Sequence, residues 1–157
     1  VHGYCYGGGL QIALAADLRF TTADAQWSVL EAKWGLVPDM SGIQALSQQV
    51  RMDVAKRLTM TGEVVSGERA VDLGLASEVH ADPVAAATAF IEQVATRSPD
   101  AVAATKRLFG RTWSSSDRRT FARERIEQAK LLATKNTTIA REAAMKRAVP
   151  AFDPRRR

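Results

Sequence analysis

Three consecutive glycines, Gly7, Gly8 and Gly9, stand directly before an apolar run at positions 10–16. The Ala and Leu content of this run predicts a buried helix, and the glycine-rich segment before it, which begins at Gly3, predicts a tight turn. Backbone N–H groups at the start of a helix have no partner within the helix, and glycine lets a ligand approach them closely. Such a turn can hold a phosphate or a developing oxyanion, but for a bare glycine triplet a simple strand-to-helix turn is the favoured interpretation.

Beyond this helix, short strands and helices alternate as far as about residue 81, and the rest of the sequence is helical. The predicted strands are 17–21, 25–29 and 76–80, with a loop at 34–42. The predicted helices are 43–49, 53–60, a short one after residue 66, and four more that begin near residues 84, 99, 117 and 138. We therefore predict an α/β first part, residues 1–81, followed by an all-helical region, residues 82–157.

Several residues are predicted to begin or end these helices. Serine and threonine side chains cap helix N-termini by accepting a backbone hydrogen bond, and glycine commonly follows the last helical residue. The predicted N-caps are Ser41, Ser66, Ser98 and Thr138. The predicted helix ends are Gly62 and Gly74.

The net charge of +5 conceals an uneven distribution. Residues 1–100 contain seven Lys or Arg against twelve Asp or Glu, whereas residues 101–157 contain fifteen against five. This asymmetry suggests either a polyanionic partner for the second part, such as nucleic acid or a phosphate-rich cofactor, or a solvated helical surface, which composition favours. Because the basic residues lack the aromatic pattern that is typical of single-strand binders, we expect no nucleic-acid partner.

Several other classes of protein are disfavoured by the sequence. Ile12 stands where a dinucleotide-binding motif needs glycine, and no Gly-Lys-Ser/Thr follows the triplet. The one cysteine, Cys5, excludes an intrachain disulfide, so we expect a reducing, cytoplasmic compartment. His2 and His80 are isolated, which predicts no metal site, and no stretch is long enough to predict a membrane span.

Two carboxylates, Glu31 and Asp39, stand near several large apolar residues, among them Trp34 and Leu36. Carboxylates at the wall of an apolar pocket are candidates for acid–base catalysis. The alternative is that Glu31 pairs with Lys33 or Arg19 while Asp39 caps the segment around Ser41, and the spacing by itself favours this alternative.

The order of these features resembles the crotonase superfamily, the enoyl-CoA hydratase/isomerase family. Residues 1–19 are similar to the family signature, which runs from the glycine triplet to an Asp-hydrophobic-Arg sequence at 17–19. Later landmarks of the family follow in order: Leu36-Val37-Pro38, Thr61-Gly62, Ser66, Ala70, Gly74-Leu75, Ser98-Pro99, Lys106 and residues 145–152. The resemblance implies the C-terminal part of a subunit, in which the end of a ββα spiral precedes helices that build a homotrimer or a dimer of trimers.

The resemblance also implies site residues. Gly8 matches the oxyanion donor, flanked by Gly7 and Gly9, and a Gly-x-Asp segment upstream of Val1 would supply the second donor. Glu31 matches a family acid, Gln11 stands where hydratases carry their other Glu, and Asp39 looks like the Asp of the dienoyl-CoA isomerases. Gln11 would orient substrate or water. The remaining expected substrate contacts are Trp34, Pro38 and Lys146, the last at the phosphates of coenzyme A.

The function that the resemblance implies is proton transfer on an acyl-CoA thioester, as in β-oxidation of fatty acids. Because glutamine cannot exchange a proton as a carboxylate does, the single acid Glu31, with Asp39 as its partner, predicts double-bond isomerisation. Hydration of a 2-enoyl-CoA and non-catalytic acyl-CoA binding are the alternatives. We expect no cofactor, since coenzyme A is part of the substrate, no membrane partner, and no activity from this chain by itself.

Overall fold

The computed structural model describes residues 1–155 and divides into two compact units, Val1–Thr88 and a second that begins at Ala89. Residues 156 and 157, the end of the predicted helical region, lie outside the described residues. The boundary between the units falls inside one helix, Pro83–Ala95. The predicted division at residues 81 and 82 remains a prediction.

The first unit contains five short strands and four complete helices. The strands are β1 (Tyr4–Tyr6), β2 (Phe20–Thr21), β3 (Gln26–Ser28), β4 (Val65–Ser66) and β5 (Glu78–Val79). The helices are α1 (Gly8–Leu14), α2 (Gly42–Gln49), α3 (Met52–Thr61) and α4 (Gly67–Leu73), with a single 3-10 turn at Leu30–Trp34. The helix α5 (Pro83–Ala95) begins in this unit.

The pairing of β1 with β3 determines where the chain turns. The two strands are parallel, with Cys5 opposite Trp27 and Tyr6 opposite Ser28. Because both strands run the same way, the residues that follow them emerge at the same edge of the sheet. The N–H of Gly7 continues the pairing by donating to the carbonyl of Ser28 at 3.0 Å. The glycine triplet and the 3-10 turn therefore begin side by side.

The two sheets are small. The antiparallel strand β4 pairs with the other edge of β3 and completes a three-stranded sheet in the order β1-β3-β4. A separate two-stranded sheet consists of β2 and β5, which are parallel. The core packs against the first sheet, and its fully buried large side chains are Leu10, Trp27, Val29, Leu46, Leu58 and Leu75.

Arg19 is buried and binds backbone carbonyls. Its Nε donates to the carbonyl of Leu75 at 2.6 Å and its Nη1 to that of Ala16 at 2.7 Å, and Nη2 donates to the side chain of Gln49. Burial lowers the pKa of the guanidinium, yet arginine stays charged under all ordinary conditions. The Asp-hydrophobic-Arg sequence therefore ends in a residue that fastens α1 to the segment after α4.

Several predicted elements are confirmed and others need correction. A strand, β1, occupies residues 4–6, where only a turn was predicted, and α1 runs from Gly8 to Leu14 rather than over 10–16. Only one face of α1 is buried, since Ile12 is 66% exposed. The apolar period of so short a helix does not reveal which face the sheet covers, and β1 is too short to show an alternating pattern.

Some of the predicted capping residues are confirmed and others are wrong. Ser66 caps α4 by accepting from the N–H of Arg69, as predicted, and Gly62 and Gly74 end α3 and α4 in left-handed conformations. The prediction for Ser41 is wrong, because it precedes α2 in a left-handed conformation and makes no capping bond with its side chain. Thr138 is also wrong as a cap, since the last helix begins three residues earlier and Thr134 caps it.

The second unit is helical, as predicted. After the end of α5 it contains α6 (Pro99–Thr112), α7 (Asp117–Leu132) and α8 (Lys135–Lys146), and α6 packs against the other two. Ser98 caps α6 through the N–H of Ala101 at 3.4 Å. The buried Asn136 holds the segment after α8, because its Oδ1 accepts from the N–H of Asp153 at 2.9 Å. Within residues 1–155 no helix is both long and apolar enough to cross a membrane.

Candidate active site

The glycine turn and Glu31 are in contact. Gly7 has a φ of 51°, a left-handed conformation that glycine adopts without steric cost. A Cβ at this position would lie 3.5 Å from Oε1 of Glu31 and 3.9 Å from its Oε2. The carboxylate of Glu31 thus lies directly over the backbone of the turn, as the parallel pairing of β1 and β3 requires.

Gln11 connects Glu31 to the loop that precedes α2. Its Oε1 accepts hydrogen bonds from the N–H groups of Met40 at 2.7 Å and Gly42 at 3.0 Å, and its Nε2 donates to Oε1 of Glu31 at 2.7 Å. The two backbone N–H groups are donors, so the atom that faces them must be the oxygen of the amide. The nitrogen therefore faces Glu31, whose Oε1 accepts.

Glu31 keeps one oxygen without a partner. Its Oε2 is buried and has no hydrogen-bond partner among residues 1–155. A buried acceptor that is left unpaired costs about 1–3 kcal/mol, so such atoms are uncommon and commonly belong to functional sites. Oε2 is therefore the oxygen of this carboxylate whose lone pairs no donor engages within the described residues.

The start of α1 supplies the N–H groups of the site. In the first turn of a helix the N–H groups have no acceptor within the helix, and here they belong to Gly8, Gly9 and Leu10. A Cβ at Gly8 would lie 3.3 Å from Sδ of Met40, whereas a Cβ at Gly9 would meet nothing within 4 Å. Gly9 is therefore open, and the side chain of Met40 lies against Gly8.

The predicted substrate wall lies between Glu31 and α2. Pro38 is buried, whereas Trp34, Leu36 and Val37 are 69%, 63% and 70% exposed. Asp39 is exposed, and its side chain forms no hydrogen bond or ion pair within the described residues. The loop between the 3-10 turn and α2 thus exposes apolar side chains and the carboxylate of Asp39.

The alternative pairings of the two acids are wrong. Glu31 bonds neither Lys33, whose Nζ lies 5.6 Å from the centre of the Trp34 ring, nor Arg19, whose guanidinium is occupied by carbonyls and Gln49. Asp39 does not cap α2, since the first N–H of that helix binds Gln11. Neither carboxylate forms an ion pair within residues 1–155.

Lys146 belongs to the second unit, where it is the last residue of α8. Its side chain is 74% exposed, and its Nζ lies 4.0 Å from Oε2 of Glu142 one turn earlier.

In the first unit, burial raises the pKa of the Cys5 thiol beneath the glycine turn, so this cysteine is not an activated nucleophile. The described residues contain no group of three or more His, Cys, Asp or Glu side chains that could hold a metal ion.

Sequence reasoning did not identify Met40 and Gly42 as parts of the site. A Cβ on Gly42 would lie 2.7 Å from Oε1 of Gln11 and 2.7 Å from Cβ of Pro38, so only glycine fits. A glycine after a serine at the start of a helix is ordinary in a sequence. Its role depends on the approach of Gln11, which is 31 positions away along the chain.

Comparison with known proteins decides the family. The enoyl-CoA hydratase/isomerase family matches residues 1–153. The chain belongs to this family. The predicted resemblance to the crotonase superfamily is thereby confirmed.

Relatives and solved structures agree with this assignment. The chain is 38% identical over 109 residues to an (E)-benzylidenesuccinyl-CoA hydratase of Thauera aromatica, covering 68% of this chain and 42% of that protein. It is 32% identical over 114 residues to a carnitinyl-CoA dehydratase of Proteus mirabilis, covering 71% of this chain and 44% of that protein. The chain thus spans less than half the length of these curated relatives.

Solved structures confirm the predicted crotonase-type fold. An enoyl-CoA hydratase from Mycobacterium tuberculosis H37Rv superposes with a TM-score of 0.90 at 31% identity, covering 96% of this chain and 61% of that one. An enoyl-CoA hydratase from Polaromonas sp. JS666 has the same TM-score at 28% identity, covering 96% and 60%. The short strands and the helices of this family member therefore have the expected arrangement.

The close fit of Gly42 on Gln11 predicts the effect of a single methyl group. In the full-length protein, Gly42→Ala should lower the free energy of unfolding by about 1–3 kcal/mol, because Gln11 and Pro38 must both move. Urea denaturation measures this change. The control is Gly110→Ala, whose Cβ would meet nothing within 4 Å in the exposed helix α6. If both variants are as stable as the wild type, the described packing of Gln11 on Gly42 is incorrect.

Proposed function

We propose that the protein acts on acyl-CoA thioesters and that Glu31 moves a proton on the acyl chain. The observation that carries this proposal is the carboxylate of Glu31, which lies on the glycine turn with Oε1 bound to Gln11 and Oε2 buried and unpaired. A base needs a free lone pair, and Oε2 has one because no hydrogen-bond donor engages it. Membership of the enoyl-CoA hydratase/isomerase family supports the substrate class.

The glycine turn stabilises the other end of the reacting group. The N–H of Gly8, at the start of α1, donates to the thioester carbonyl oxygen, and the partial positive charge of the helix N-terminus assists it. When a proton leaves the carbon next to the carbonyl, negative charge develops on this oxygen. One such donor contributes about 2.7–4 kcal/mol to lowering the barrier.

A single carboxylate is sufficient for double-bond isomerisation. Glu31 removes a proton from C2 of a 3-enoyl-CoA, and the electron pair moves into the enolate. The same carboxyl group returns the proton at C4, and the double bond comes to lie between C2 and C3. No second titrating group is needed, which agrees with the amide of Gln11 at the neighbouring position. Asp39, in the exposed loop, is the candidate partner for proton exchange with longer, doubly unsaturated substrates.

Hydration is the second candidate function, and the names of the relatives favour it. Both curated relatives are named for addition or removal of water on a CoA thioester, a hydratase and a dehydratase. In this reaction the oxygen of water bonds to C3 of a 2-enoyl-CoA, Glu31 takes a proton from the water, and the same carboxyl group then gives that proton to C2 of the enolate. Glu31 would have to serve both proton transfers, because the neighbouring position 11 carries an amide instead of a second carboxylate.

Substrate choice and one substitution test these functions together. Full-length protein is given a 3-enoyl-CoA, a dienoyl-CoA and a 2-enoyl-CoA under the same conditions, and isomerisation should be the fastest reaction. Glu31→Gln should lower kcat about 10²- to 10⁴-fold while acyl-CoA binding survives. Glu92→Gln, an exposed change in α5, serves as the control.

Each other result has a definite meaning. A hydration rate far above both isomerisation rates would select the second function. Turnover that is unchanged in Glu31→Gln would remove Glu31 from the mechanism. Binding of acyl-CoA without turnover of any of the three substrates would indicate a non-catalytic acyl-CoA-binding subunit.

We also propose that Lys146 contributes to binding the phosphates of coenzyme A. Among residues 1–155 its exposed ammonium pairs only with Glu142, at 4.0 Å, and lysine is a flexible point charge suited to phosphate. Lys146→Ala should weaken the binding of CoA esters, measured by calorimetry, much more than that of a short thioester without the nucleotide. Arg141→Ala, an exposed change on the same helix, is the control. Equal weakening of both ligands would indicate a structural role for Lys146.

The oligomeric state proposed for the protein is a homotrimer or a dimer of trimers. Large apolar side chains on α6 and α7 support it, because monomeric proteins rarely expose many such side chains to solvent. The exposed apolar side chains on these two helices are Phe109, Phe121, Ile126 and Leu132. Sedimentation equilibrium of the full-length protein should give the mass of a trimer or of two trimers, and Phe121→Asp should shift it towards the monomer. A monomeric wild type would contradict this proposal.

A further inference from the structure

The side chain of Gln11 has almost no capacity left for a substrate. It is 4% exposed, both lone pairs of its oxygen are engaged by Met40 and Gly42, and one of its two amide protons is engaged by Glu31. The family resemblance predicted that Gln11 orients substrate or water. The geometry indicates a different role, which concerns Glu31 itself.

We propose that Gln11 is a positioning residue that holds Glu31 in its reactive geometry and ties it to the loop before α2. This inference deepens the proposed function and rests on it. Because Nε2 engages Oε1, rotation of the carboxylate is restricted and Oε2 is the oxygen presented to the acyl chain.

The amide is suited to this place because it donates on one side and accepts on the other. A glutamate at position 11 could accept from Met40 and Gly42, but in its ionised form it would present a second acceptor to Oε1 of Glu31 at about 2.7 Å. Two carboxylates at that distance cannot both stay ionised, so the pair would retain one proton. A methionine of similar length would neither donate nor accept.

The loop is the second partner that Gln11 holds. Its two N–H donors lie on either side of Ser41, which has a φ of 68°, and the side chain of Met40 lies against Gly8. A displacement of this loop would therefore move the side chain of Gln11 through two hydrogen bonds, and Gln11 would move the carboxylate of Glu31 through a third. The apolar surface that the loop exposes is thereby connected to the proton-transfer group.

The charged surroundings of Glu31 are sparse. Neither α1 nor α2 carries a titratable side chain. The titratable groups on the strand, turn, loop and helix next to Glu31 are Tyr4, Cys5, Tyr6, Lys33, Asp39, Asp53, Lys56 and Arg57. Arg51 bonds Asp53, Arg57 bonds Glu63, and none of them forms an ion pair with Glu31 within the described residues. A new ionisation that depends on both position 11 and Glu31 can therefore be assigned to that pair.

Two substitutions of Gln11 test the proposal in the full-length protein. In Gln11→Glu, the retained proton restores the donor at low and neutral pH, so isomerase activity should be largely kept. As pH rises through the titration of the pair, that proton is lost, the carboxylates repel each other, and kcat should fall about tenfold or more. Gln11→Met lacks the donor at every pH, so kcat should fall about 100-fold throughout, as for a misplaced catalytic group.

The readouts separate positioning from a structural role. KM for the acyl-CoA should change little in Gln11→Glu, because Gln11 contacts Glu31 rather than the substrate. Urea denaturation of both variants identifies a loss of folding. A pH–kcat profile of Gln11→Glu that is parallel to that of the wild type would overturn the proposal, and so would Gln11→Met with near-wild-type kcat.

A measurement without turnover separates this proposal from the proposed function. Infrared difference spectra of Gln11→Glu across the pH range should show a carboxyl group that titrates above the ordinary range of glutamate, and Gln11→Glu combined with Glu31→Gln should lack it. If the wild type turns over no enoyl-CoA but this titration is present, the function is wrong and the contact stands. If the titration is absent, the positioning proposal is wrong whatever the activity.

Discussion

The parallel pairing of β1 with β3 is the constraint on which the site depends. It places Gly7 and the 3-10 turn of Glu31 at one edge of the sheet, and the N–H of Gly7 binds the carbonyl of Ser28 there. A shift of one residue in this register would carry every side chain of β3 to the opposite face, including the buried Trp27. The burial of Trp27 therefore helps to determine where Glu31 stands relative to the glycine turn.

Gln11 links Glu31 to the loop before α2 by hydrogen bonds. A single amide satisfies two N–H groups of the loop before α2 and one oxygen of Glu31, and it leaves the second oxygen free. The carboxylate of Glu31 thus lies beside the N-terminal turn of α1, which is the arrangement that the proposed proton transfer needs. A second carboxylate, that of Asp39, stands in the exposed loop and is not part of this network.

Much of the secondary structure could be predicted because it depends on nearby residues. Ser66 caps α4 through an N–H three residues away, and Gly62 and Gly74 end their helices by adopting left-handed backbone conformations. The strands were harder to predict, since β1 and β4 contain only three and two residues and exist through their pairing with β3. Ser41 shows the same limit, because a distant side chain took over its predicted capping role.

The sequence by itself determined the family, the helical second part and the two residues, Gly8 and Glu31, that matched the family's motifs. It did so because ordered motifs and local capping are recorded in the order of the residues. Only the tertiary structure decided what Gln11 and Gly42 do. The N–H of Gly42 donates to Oε1 of Gln11, and the two residues lie so close that a Cβ on Gly42 would not fit. Neither the hydrogen bond nor this close approach can be predicted from the residue types. The direction of an amide depends on the donors and acceptors that folding brings to it.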